Sequence, residues 1–154
     1  RFEFRTCEPK EGGYFILDRT LFSPFYQVNE YGFMPRTAGE DGDPLDIILL
    51  ATRSTFTGCV VKARPIGVLI MRDEAGIDKK IIAAPIPKVD PRLKHINAVG
   101  DIPEHLKEEM LHFWSDYKKL EKEKYEHVRV DGFEGIEKAK ELIKEAVEKY
   151  KTSK

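Results

Sequence analysis

The hydrophobic rhythm of this chain changes character once, near Asp101, and that change sets the class of fold open to it. Before that point, apolar residues alternate or come in short runs over residues 1–5, 14–18, 46–51, 60–71 and 81–85, with Gly12-Gly13, Gly42, Gly58 and Gly76 as breakers. Period-two patterning between turn residues predicts short β-strands. After it, D-I-P-E at 101–104 gives a helix start, and Leu106, Met110, Phe113, Trp114 and Tyr117 recur at helical spacing. Ile136, Ala139, Ile143, Val147 and Tyr150 mark a second helix after Gly132 and Gly135. Strands followed by helices predict an α+β domain built on a small barrel or sandwich. With 154 residues the chain is long enough to bury a core without disulfides, so one domain over 1–154 is expected, with 151–154 a frayed tail.

Charged residues make up 34% of the chain yet nearly cancel to a net charge of -1. No global basic field is available to recruit nucleic acid or an anionic membrane, so any phosphate recognition must be local. Cys7 and Cys59 lie far apart and in no ligand pattern, which reads as reduced thiols in a cytoplasmic protein. No apolar run approaches the roughly 20 residues that span a bilayer, and no basic-then-apolar leader opens the chain, so a soluble protein is expected. The start at Arg1, without an initiator methionine and already in strand-like alternation, leads us to expect that residues upstream were removed or left out.

The chemistry concentrates in D-G-D-P-L-D at 41–46, where Asp41, Asp43 and Asp46 crowd together with nothing basic beside them in sequence. If the segment ends in a strand, Asp41 and Asp43 share a face and the proline turn swings Asp46 back to make a cup of oxygens. Hard oxygen ligands without histidine or cysteine select Mg²⁺ or Mn²⁺ over zinc. A second acidic loop, D-E-A-G-I-D at 73–78, ends in Lys79-Lys80 and repeats oxygen ligands on turn chemistry. Taken alone, either loop reads first as a solvated turn. The pair, with Arg19 after Asp18 at a strand end and with Tyr31, Tyr117 and Lys118 as further donors, points to a multi-metal phosphate site. From spacing alone Tyr117 reads first as continuing the apolar stripe of the first helix, and Lys118, Lys119, Lys122 and Lys124 read first as a wet helix face.

These residues resemble the soluble, Mg²⁺-dependent inorganic pyrophosphatases, whose fold is a five-stranded OB-type β-barrel with two α-helices packed on it, here in the C-terminal half. D-G-D-P-L-D is similar to that family's D-[GN]-D-P-x-D signature. The likeness continues in order through Y-G-F at 31–33, V-L-I-M-R-D-E-A-G at 68–76, D-K-K at 78–80 and H-F-W-S-D-Y-K at 112–118. The resemblance implies hydrolysis of pyrophosphate to two orthophosphates, with Asp41, Asp46, Asp73 and Asp78 as metal ligands and Asp46 shared between two ions. It implies Asp43 as general base, Arg1, Arg19, Tyr31, Lys80, Tyr117 and Lys118 as phosphate holders, and Glu3 at a further, substrate-borne metal. It also implies a homo-oligomer, with a hexamer favoured and the first helix in subunit contact. The chain departs from the family pattern in Arg1 for lysine, in lacking an acidic residue upstream of it, and in Glu30 and Val28 before and near Tyr31.

Two other readings compete. A nucleic-acid-binding OB module would use Phe25, Tyr26 and Phe33, but such grooves are basic and the distinctive feature here is acidic. A pyrophosphatase-like scaffold without activity would bind metal and not turn over. His95, His105, His112 and His127 match no zinc pattern. His112, one turn before Asp116, is expected to form an acid-sensitive contact.

Overall fold

A computed structural model describes residues 2–6, 13–17 and 19–152. A short antiparallel hairpin pairs β1 (Phe2–Thr6) with β2 (Gly13–Leu17). The main sheet has five strands in the order β3 (Glu30–Phe33), β4 (Asp46–Leu49), β6 (Gly76–Pro85), β5 (Ala63–Asp73) and β7 (Arg129–Glu134). All its pairings are antiparallel except β4 with β6, which run parallel with Ile48 beside Ile82. Three α-helices accompany it: α1 (Glu104–Asp116), the single turn α2 (Lys122–Tyr125) and α3 (Ile136–Thr152). The α+β expectation and the OB-type fold hold: β1 and β2 fall at the strands expected over 1–5 and 14–18, and α2 is additional to the two helices expected.

Strand alternation divides the apolar residues between two faces. Ile48, Leu69, Met71, Ile82 and Ala84 face one way and pack with Met110, Phe113 and Trp114 of α1. Ile47, Val68, Ile70 and Ile81 face the other way and pack with Ala139, Leu142 and Ile143 of α3. Each helix therefore covers its own side of the sheet. The stripe of α1 is the one its spacing predicts. That of α3 is shifted: Ala139, Leu142 and Ala146 are its buried residues, while Ile136, Val147 and Tyr150 are half-buried. The two buried alanines have short side chains that let neighbouring backbone approach, and Ala38 N–H donates to the Ala146 carbonyl at 3.0 Å.

β4 stops at Leu49 and β5 starts at Ala63, both short of their patterns, while β5 and β6 extend beyond theirs toward the turn that joins them. β5 continues through Asp73 and β6 begins at Gly76, because Glu74 and Ala75 alone make the turn, with Gly76 at φ 119°. Asp73 and Asp78 consequently sit on strands rather than in a loop. β3 and β7 carry no sequence expectation. In β7 the Asp131-Gly132 pair looks like a turn but forms a bulge: Ile70 pairs with Gly132 and Met71 with Val130, leaving Asp131 as the extra residue and Gly132 at φ 112°. Asp101 does not cap α1; its carboxylate accepts the Asn97 and Ala98 amides, and the helix starts at Glu104 after Pro103.

At Gly67 the sheet passes so close to its cover that an added Cβ would lie 2.1 Å from Val99 Cγ2 and 2.6 Å from the Glu134 carbonyl. Gly67→Ala is expected to destabilise the protein by about 1–3 kcal/mol, whereas Gly100→Ala, where nothing lies within 4 Å, serves as the control in urea unfolding.

Candidate active site

The register that builds the core also assembles the site. Residues paired across strands share a face, and Phe33 pairs with Asp46, Leu69 with Lys80, Met71 with Asp78, and Asp73 with Gly76. Asp46, Asp73, Asp78 and Lys80 therefore lie on the α1 face, beyond the apolar core and toward one end of the strands.

Lys80 is the centre. Its side chain is 3% exposed, and Nζ donates to Asp78 Oδ2 at 2.7 Å, Asp46 Oδ2 at 2.9 Å and Tyr31 Oη at 3.0 Å. Nζ also lies 4.6 Å from the centroid of the Trp114 ring and 5.3 Å from that of Tyr31, a cation–π arrangement floored by aromatic rings. Tyr31 in turn donates its hydroxyl to Asp46 Oδ2. Burial alone would push the ammonium's pKa down, but Tyr31, Asp78 and Asp46 outweigh it and hold the pKa above the usual lysine range. Lys80 stays charged. Burial raises the Tyr31 phenol well above its ordinary value, with Lys80 pulling against it and Asp46 adding to the rise. For Asp78 burial also dominates, raising its pKa despite the adjacent Lys80.

A second lysine performs the same task beside the β5–β6 turn. Lys118, just past α1, donates to Asp73 Oδ2 at 2.9 Å and Glu74 Oε2 at 2.6 Å, and lies 5.6 Å from the centre of the Tyr117 ring. Burial pushes the Asp73 carboxyl up, yet the hydrogen bonds from Lys118 and the Ala75 amide prevail and leave it below its ordinary value. Burial likewise opposes the Lys118 charge, and Glu74 and Asp73 more than compensate. The Tyr117 ring packs against Phe113 and Trp114, continuing the apolar stripe of α1.

Asp41 and Asp43 occupy the exposed turn before β4. Asp41 Oδ1 accepts the Asp43 amide at 3.0 Å, and Gly42 takes φ 92°. The expected cup does not form. Among the described residues no three carboxylate, imidazole or thiol groups converge on one point. Lys80 stands between Asp46 and Asp78, and Lys118 takes Asp73, so Asp46, which has no basic neighbour in sequence, acquires one in space. The donor set nevertheless consists of hard aspartate oxygens, the chemistry that suits Mg²⁺ or Mn²⁺. Arg19 is exposed just after β2, while Arg1 and the Glu3 side chain lie outside the described residues, as does Cys7. Cys59 is an exposed free thiol. His112 Nδ1 stands 3.6 Å from Asp116 Oδ2, as its spacing predicts. The reading from sequence leaves Glu74 and Trp114 unassigned, although both stand inside segments it singles out.

A family model described as inorganic pyrophosphatase matches residues 2–151. The chain is 44% identical over 135 residues to the inorganic pyrophosphatase of Saccharolobus solfataricus, covering 88% of this chain and 77% of that one. It is 43% identical over 143 residues to that of Agrobacterium fabrum, covering 93% and 80%. Among solved structures, an inorganic phosphatase from Anaplasma phagocytophilum matches with a TM-score of 0.87 at 40% identity, over 98% of this chain and 85% of that one. The inorganic pyrophosphatase from Thermus thermophilus matches with a TM-score of 0.85 at 39% identity, over 97% and 83%. The chain belongs to the inorganic pyrophosphatase family, hydrolases that split pyrophosphate into two orthophosphates.

The raised Asp78 pKa has a thermodynamic corollary. Its native value lies above the unfolded value of about 3.9, so the native state binds the proton more tightly, and the stability this confers is lost as pH rises through the native pKa. Without divalent cations, the stability of the wild type is expected to fall as pH rises through the native Asp78 pKa, and Asp78→Asn, which cannot titrate there, is expected to lack that part of the pH dependence; calorimetry across pH on both proteins reads it.

Proposed function

We propose that the family reaction runs here with Asp43 as the general base and with Mg²⁺ as the ion, Mn²⁺ being a possible substitute. The observation that carries this reading is the set of aspartates on the α1 face, each held by a lysine, immediately beside the turn that bears Asp41 and Asp43. Glu40 in that turn is tied to Lys79 of β6 at 2.8 Å, which keeps turn and sheet together. Asp41, Asp46, Asp73 and Asp78 would hold the metal, with Asp46 shared between two ions, and Glu3 would assist at an ion carried by the substrate. Mg²⁺, when bound, supplies charge that polarises phosphoryl oxygen and acidifies an adjacent water.

The chain's own residues then divide the remaining work. Asp43 takes the proton of the attacking water. Arg1, Arg19, Tyr31, Lys80, Tyr117 and Lys118 hold the two phosphoryl groups, and the cations among them offset charge that builds on the leaving phosphate. Because Lys80 and Lys118 retain their protons, that positive charge is present at every pH at which the enzyme works. One domain carries the whole site. We also propose a cytoplasmic homo-oligomer, with a hexamer favoured. A small groove of about 180 Å³ between α1 and the segment before β3, lined by Phe25, Tyr26, Glu109 and His112 among others, gives an apolar surface for subunit contact. Among the described residues no helix is long and apolar enough to cross a membrane.

Orthophosphate release from pyrophosphate tests the reading. Release should require Mg²⁺ and stop with chelator, and Asp43→Asn should lower turnover by about 10² to 10⁴ while leaving substrate affinity largely intact. Near-normal turnover in the variant would remove Asp43 from the role. A folded protein that binds Mg²⁺ without releasing phosphate would identify the inactive scaffold. Sedimentation velocity checks the assembly, and a monomer at micromolar concentration would refute it.

A further inference from the structure

We propose that Lys149, in the last turn of α3, is a positioning residue for hydrolysis: it fixes the backbone turn that carries Asp43. The inference rests on the reading of Asp43 as the base.

Residues 38–45 belong to no helix or strand, so their backbone groups need other partners. Gly39 is the hub of that turn. Its N–H donates to the Asp43 carbonyl at 2.7 Å, and its own carbonyl accepts the Gly42 N–H at 3.2 Å. The turn closes so tightly that a Cβ on Gly39 would lie 3.1 Å from Asp41 Oδ1 and 3.2 Å from the Asp43 carbonyl. Lys149 Nζ donates to this same Gly39 carbonyl at 2.7 Å and to the Glu40 carbonyl at 3.2 Å. The ammonium thus stands one hydrogen-bonded residue away from the backbone of Asp43.

The contrast within α3 separates this contact from an ordinary surface pair. Lys138, Lys140 and Lys151 each bond a glutamate three residues away on the same helix, contacts that contribute little and constrain nothing beyond it. Lys149 reaches off the helix to a loop 110 residues earlier in sequence. Its platform is rigid, because Ala146, one turn before it, is buried and accepts the Ala38 amide at the entrance to the same loop. Two charge-assisted bonds from a fixed helix onto successive carbonyls restrict how far the turn can shift. A base displaced by about 1 Å loses a large share of its effect, so a clamp on its backbone is felt in turnover rather than in binding.

The experiment measures kcat, KM and melting temperature for Lys149→Met, Lys149→Arg and Lys151→Met, with the Lys149→Met change repeated in the Asp43→Asn background. Lys149→Met should lower kcat about tenfold with KM within about twofold. Lys149→Arg, which can still bridge two carbonyls, should recover most of the loss, and Lys151→Met should match wild type. In Asp43→Asn the second change should cost less than about twofold, since two residues acting through one step are not additive. A kcat for Lys149→Met within about twofold of wild type, alongside a collapsed Asp43→Asn, overturns the role of Lys149 and leaves the base intact. A full tenfold loss in the Asp43→Asn background shows that Lys149 acts by another route and also overturns the proposal. Full turnover in Asp43→Asn alone overturns the base assignment and, with it, the clamp's route of action.

Discussion

The buried ammonium of Lys80 is the interaction on which the rest of the site depends. It joins β6 to β4 through Asp46, to β3 through Tyr31, to its own strand through Asp78, and to α1 through the Trp114 ring. A charge so deeply removed from water costs several kcal/mol unless every direction around it is electrically favourable. Here two carboxylates, a phenol oxygen and an aromatic face supply that environment, so their positions are mutually required. Replacing any of them with an apolar group would leave the others facing an unbalanced charge.

The two sides of the sheet are specialised by the same alternation. One side ends in charged groups above a core that includes Trp114, and the other packs Val68, Ile70 and Ile81 against α3. Because neighbouring residues on a strand point to opposite faces, Lys80 and Ile81 belong to different sides, and a one-residue slip of β6 would exchange them. Burying the lysine and packing the isoleucine are therefore a single constraint on register. The site is no addition to a finished barrel; it helps to choose the pairing that makes the barrel.

Much of this was legible in the residues. The strand-to-helix change near Asp101, the stripe of α1 and the acidic segments at 41–46 and 73–78 carry local signals, and the family likeness in D-G-D-P-L-D ties them to one chemistry. β3 escaped because it is four residues long, mostly exposed and contains Gly32, so its identity comes only from pairing with β4. β7 escaped because Asp131-Gly132 has turn composition, and only the sheet makes it a bulge. The lysine partners of the aspartates escaped for a related reason. Lys80 and Lys118 are remote in sequence from Asp46 and close in space to the aspartates they serve, and no window of local pattern contains them all. Lys149 was invisible on the same grounds.

The parallel pairing of β4 with β6 has a consequence for the order in which the molecule can come together. The β5–β6 hairpin closes through a two-residue turn and needs no distant partner, so it brings Asp73, Asp78 and Lys80 onto one small unit by itself. Asp46 arrives only when β4 docks alongside β6, across an intervening chain that includes the whole of β5, and such non-local closure is slow relative to hairpin formation. A partly folded chain can thus assemble half of the acidic set while the turn bearing Asp41 and Asp43 remains unattached. Competence for chemistry is reserved for chains that have completed this parallel pairing, so the reaction itself reports that β4 has docked.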